Sequence, residues 1–142
     1  MAEMTPGVFW WDVLYNAAVE DWQMLYEPLG WARTQLRTAS EEERQRLAEE
    51  TLRDLYARGL IWFFRVGPDE SVNDVGSDPS RRLSQIEVER VISGEDWRTV
   101  PVGPDGARVY FGATGEGERV AKNPPVEVVT YWNARSRSRT DA

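Results

Sequence analysis

Between residues 8 and 29, apolar side chains recur at Trp11, Leu14, Tyr15, Ala18, Trp22, Leu25, Tyr26 and Leu29, the three-to-four spacing of one broad stripe on an α-helix. Pro6 and Gly7 stand before this stretch, and Pro28 with Gly30 reads as its end. Trp10 and Trp11 lie about 100° apart on such a helix, so one of them is carried off the stripe. Residues 30 to 39 are mixed, with Trp31 and Leu36 as anchors for either one helical turn or a loop. Ser40 followed by Glu43 fits a capping box, and Glu41 and Glu42 fall in the first turn, where carboxylates favour the positive end of the helix dipole. The stripe Leu47, Ala48, Leu52, Leu55, Tyr56 then runs to Gly59, placed as a left-handed C-terminal cap.

Residues 60 to 66 (LIWFFRV) alternate as a strand with Leu60, Trp62, Phe64 and Val66 on one face and Ile61, Phe63 and Arg65 on the other, both mostly apolar and therefore covered. Residues 67 to 80 have the Gly, Pro, Asp, Asn and Ser content of an exposed acidic loop. Ser84 with Glu87 forms a second capping box, opening a short helix that Gly94 stops. Residues 97 to 102 and 107 to 113 read as strands around the turn Gly103-Pro104-Asp105-Gly106, and Thr114 caps a short helical turn reaching Lys122. After Pro124 and Pro125, residues 126 to 132 alternate as a final strand, and the Arg/Ser-rich tail 133 to 142 is expected to be disordered. Residues 1 to 132 thus form a single domain, without internal repeats.

The stretch Leu52, Leu55, Tyr56, Gly59-Leu60-Ile61 is similar to the end of the third helix and the entry into the first wing strand of winged-helix regulators. Val109-Tyr110-Phe111 with Thr114 and Gly117-Glu118 is similar to the return strand and the Thr-x-x-Gly corner that follows it in many bacterial members. Over residues 8 to 122 the order of elements resembles a winged-helix domain. That resemblance implies an α+β fold: N-terminal helices, then a small antiparallel sheet, here with a short inserted helix. Two features depart from the family. The wing, usually a tight hairpin, is enlarged by the segment that carries the helix at 84 to 93. The helix at 41 to 58, in the position of a recognition helix, sets Glu41, Glu42, Glu43, Glu49, Glu50 and Asp54 among Arg44, Arg46, Arg53 and Arg58.

Composition narrows the chemistry. The chain has no Cys and no His, which removes thiol and imidazole nucleophiles, Ser-His relays, disulfides and zinc sites built on sulfur or nitrogen. Seven Trp and a 41% apolar fraction are too high for a disordered chain. The 24 carboxylates offer no spacing that selects a catalytic pair, no Walker-type phosphate loop is present, and Gly112, Gly115 and Gly117 lack the context of a dinucleotide site. Asp69, Glu70, Asn73, Asp74 and Asp78 lack the alternating ligand spacing of a calcium loop. The expectation is a protein that is not an enzyme, with no catalytic residue, metal or cofactor. No run approaches the roughly 20 apolar residues of a membrane span and the start lacks a secretory pattern, so a cytoplasmic location is expected.

The net charge of -7 is unevenly placed: residues 1 to 32 hold five acids (Glu3, Asp12, Glu20, Asp21, Glu27) and no base. Such a surface repels DNA and steers a basic protein toward it. Two readings follow. In the first, the chain is a protein-binding module of adaptor, antitoxin or immunity type whose docking face combines Trp10, Trp11 and Trp22 with Asp12, Glu20 and Asp21. In the second, a homodimer paired through its first helix acts as a DNA-binding transcription regulator, with Arg44, Arg46 and Arg53 as the positions to test. Whether Arg44, Arg46, Arg53, Arg58 and Arg65 converge on one face or are interleaved with acids separates the two.

Overall fold

The computed structural model describes residues 5–20, 22–94 and 108–140. Thr5 opens the first helix, α1 (Pro6–Val19), by accepting the Val8 amide on its hydroxyl, while Pro6 occupies the first turn, where its missing N–H costs nothing. The helix ends at Glu20, ahead of the expected position. The chain then runs through a two-residue strand, β1 (Gln23–Met24), into α2 (Glu27–Gln35). Pro28, which resembles a helix terminator in sequence, sits in the first turn of α2 instead. What interrupts the continuous stripe is sheet pairing: Gln23 lies opposite Phe111 and Met24 opposite Tyr110.

In α3 (Glu41–Ala57) the Ser40 hydroxyl accepts the Glu43 amide, and Gly59 takes φ 72° so that the Leu60 amide can return to the Leu55 carbonyl. The chain continues directly into β2 (Ile61–Val66), which pairs antiparallel along its whole length with β3 (Arg108–Ala113). The sheet order is β1-β3-β2. Alternation sorts its faces. Ile61, Phe63, Phe111 and Ala113 enter the main core with Phe9, Val13, Leu14, Leu52 and Leu55, while Phe64 and Val66 join Trp22, Trp62 and Tyr110 on the opposite face.

That second face is covered by the segment expected to be a bare loop. Residues 67 to 81 contain α4 (Val72–Gly76) and a 3-10 turn (Pro79–Arg81), and Val75 packs onto Phe64 and Val66. Ser84 opens α5 (Gln85–Ser93) with a complete capping box, and α5 packs against α3 through Val88 and Ile92. The strand expected at 97 to 102 and the turn at 103 to 106 lie outside the described residues. Thr114 caps α6 (Gly115–Ala121) as expected, accepting the Gly117 amide and donating to the Gly59 carbonyl at 2.7 Å.

Residues 126 to 140 correct the sequence pattern. The expected strand at 126 to 132 and the tail expected to be disordered from 133 form one helix, α7 (Val126–Thr140), lying against α1. β-branched residues give this stretch strand character locally, but the helix places Val128, Tyr131, Trp132 and Arg135 on a single face. Tertiary contact decides the outcome: Val128 is buried in the core, and Trp132 lies 5.0 Å, centroid to centroid, from Tyr15. The architecture is thus α+β, with seven helices and a three-stranded antiparallel sheet among the described residues. No described helix is long and apolar enough to cross a membrane.

Candidate functional site

The side chains singled out on the N-terminal segment do not stand together on one open surface. Asp12 is 3% exposed: it accepts the Trp132 indole N–H at 2.6 Å and the Arg135 guanidinium at 2.9 Å. Arg135 also reaches the Gln35 side chain, so that α1, α2 and α7 meet at one buried carboxylate. Burial works against the Arg135 charge, yet hydrogen bonding and attraction to Asp12 outweigh it and raise its pKa above the usual arginine value.

The tryptophans also have internal partners. Trp10 donates its indole N–H to Asp54 of α3 at 2.7 Å, and Trp11 packs edge-on against Trp10. Trp22 donates to Asn73 at 2.9 Å and stacks edge-on against Trp62 and Phe64 on the outer sheet face, where Gly76 leaves room for its ring. All three rings remain half-buried. Glu20 is exposed at the end of α1, and Asp21 lies outside the described residues. Along α1, exposed area remains at Trp11, Tyr15, Val19 and Glu20, with Tyr15 43% and Val19 59% exposed, although Trp11 packs edge-on against Trp10 and Tyr15 lies beside Trp132 of α7.

The arginines of α3 and its flanks are interleaved with acids. Arg44 donates to the Leu36 and Arg37 carbonyls, closing the end of α2, and pairs with Glu41. Arg53 reaches across to α5, where it meets Glu89 at 2.9 Å and the Ser93 hydroxyl, and it pairs with Glu49 on its own helix. Arg58 pairs with Asp54 at 2.8 Å. Hydrogen bonds from Arg33 and Arg53 hold Glu41 and Glu89, respectively, below the usual carboxylate range. Arg46 and Arg65 are exposed. Comparison with protein-family models, curated proteins and solved structures finds no match to this chain.

The acidic loop is likewise committed internally. Glu70 accepts from Arg81 and from the Gly67 amide, Asp78 caps the 3-10 turn through Ser80, and Asn73 is taken by Trp22. Among the described residues no group of three or more carboxylates is arranged to hold a metal ion. The Arg81 hydrogen bond, reinforced by the Gly67 amide, holds the Glu70 pKa at about 2 against an ordinary 4.5. A depressed carboxylate pKa contributes stability above the ordinary value that is lost as pH falls through the folded one. A carboxyl-resolved NMR titration is therefore expected to place the Glu70 midpoint near 2 in the wild type and to move it upward in Arg81→Ala, while staying below 4.5 because the Gly67 amide still donates to the carboxylate. Loosening of residues 67 to 81 should begin below pH 4.5. An unchanged midpoint in the variant refutes the assignment.

A third feature carried no signal in the sequence. The last turns of α3, the start of β2 and the approach to α5 enclose a cleft of about 730 Å³. Tyr56, Ile61, Trp62 and Leu83 supply apolar wall, and Arg53, Arg82 and Glu89 supply charge. Residues from three separated stretches meet there, and no local pattern marks such a meeting.

Proposed function

We propose that this chain is a small, non-enzymatic protein-binding module of adaptor, antitoxin or immunity type on a winged-helix-like scaffold. The observation that carries the reading is the commitment of the α3 arginines: Arg44, Arg53 and Arg58 each pair with a carboxylate, so the helix in the recognition position offers few free cations to phosphate. In support of that scaffold, α1, β1, α2, α3 and β2 follow one another directly, α4 and α5 are inserted before β3, and the sheet order is β1-β3-β2. On that scaffold the long insertion lays α4 over the outer sheet face and α5 against α3, covering the elements that a DNA-binding member presents to the duplex. The docking face then lies on the outward side of α1, where Trp11 and Tyr15 provide aromatic anchors and Glu20 an acid that steers a basic partner.

The competing reading is a dimeric DNA-binding regulator. At low salt, heparin chromatography and gel shifts with genomic fragments are expected to show no retention and no shifted band. Cross-linking in the native host is expected to capture a protein partner that the pair Trp11→Ala, Tyr15→Ala loses while circular dichroism shows the variant still folded. Salt-dependent duplex binding that Arg46→Ala weakens overturns the proposal in favour of the regulator.

A further inference from the structure

We infer that the cleft between α3, β2 and α5 is a binding site for a small planar organic anion. Its volume of about 730 Å³ falls within the range of roughly 300 to 1,000 Å³ typical of small-molecule pockets. The wall formed by Tyr56, Ile61, Trp62 and Leu83 suits a flat apolar body.

Charge selects the sign of the ligand. Arg53 and Glu89 neutralise one another across the cleft. Arg82 is different: its guanidinium carbon lies 4.3 Å from the centre of the Trp62 ring, and among the described residues its side-chain N–H groups make no hydrogen bond or ion pair. The backbone fixes that position, since Arg82 forms a β-bridge with Phe64 and the Leu83 amide donates to the Phe63 carbonyl at 2.8 Å. A guanidinium over an aromatic wall, with no acceptor for its donors among the described residues, is matched by a carboxylate, sulfonate or phosphate head. The planar body of the same molecule then lies along Tyr56 and Leu83, beside the Trp62 ring that Arg82 covers. The cleft shares no residue with the docking face on α1, so the inference is independent of the protein-docking reading.

The test uses two probes of similar shape, 8-anilinonaphthalene-1-sulfonate and its uncharged counterpart N-phenyl-1-naphthylamine, titrated into the full chain with fluorescence detection. Saturable one-to-one binding of the sulfonate is expected. Arg82→Gln should weaken it about tenfold or more, the scale of one lost charge-assisted hydrogen bond, and leave the neutral probe unaffected. Arg82→Lys, which keeps the charge, should retain more of the affinity than Arg82→Gln. Arg119→Gln, on α6 and outside the lining of the cleft, should change nothing. Absence of saturable sulfonate binding, or sulfonate binding unaltered by Arg82→Gln, overturns the assignment. Equal loss of both probes in that variant overturns the choice of an anion.

Discussion

Asp12→Ala is expected to lower the unfolding free energy by about 3 kcal/mol, because it strips a half-buried cation and a half-buried indole N–H of their shared, buried acceptor. Asp12 itself is 3% exposed, whereas the Arg135 side chain keeps 29% of its exposure and regains some solvation when the pair is broken. The cost therefore belongs at the lower end of the range for broken buried pairs. Loss should be largest where the carboxylate acts. Amide exchange in α7 is expected to accelerate more than in α3 or β2, because Trp132 and Arg135 tie α7 to α1 through that carboxylate. Asp12→Asn, which can still accept from Trp132, should cost less. Denaturant unfolding within about 1 kcal/mol of wild type for Asp12→Ala would mean that α7 is held by packing alone.

Gly117→Ala should be equally damaging or worse, at about 3 kcal/mol or more. A Cβ at position 117 would stand 2.0 Å from the Leu60 backbone carbonyl oxygen, and neither atom can turn aside without movement of the backbone that carries it. Relief requires α6 to move off β2, which breaks the hydrogen bonds that Thr114 makes to Gly59 and Leu60. Gly115 on the same helix supplies the control, since nothing lies within 4 Å of its added Cβ. Gly115→Ala is expected to be neutral or stabilising by up to about 1 kcal/mol through the entropy of the unfolded chain. Thermal melts of the two variants side by side decide it: equal effects would mean that the approach of α6 to Leu60 is looser than 2.0 Å implies.

These two sites explain which parts of the protein were legible in advance. Helix caps are short-range devices, and Ser40, Ser84, Thr114 and Gly59 each act within a few residues, so their pattern predicts their role. The alternation likewise sorts the two faces of β2 from Ile61 to Val66, whereas Leu60, expected beside Trp62, is buried in the main core with Ile61 and Phe63 just before the strand begins. Length and direction of the first helix were misjudged because pairing of Gln23 and Met24 with β3, nearly ninety residues away, overrides a continuous helical stripe. α7 was missed for the same reason. Its strand-like composition is local, whereas the acceptor that orients Trp132 and Arg135 lies more than a hundred residues upstream.

Charge shows the same division. Counting along the chain makes Asp12 one of five acids in an electronegative N-terminal third, but the fold brings Arg135 to it and removes it from the surface. Counting along α3 finds arginines, but the fold sets Glu89 of α5 against Arg53. The sequence by itself determined the caps, the strand faces, the α+β class and the absence of thiol and imidazole chemistry, all of which depend on residue type and near neighbours. Tertiary structure alone decided which tryptophans and arginines are spent internally and which, like Arg82, find no acceptor among the described residues. Hydrogen bonding and desolvation depend on distances between chain segments, and no one-dimensional pattern encodes them.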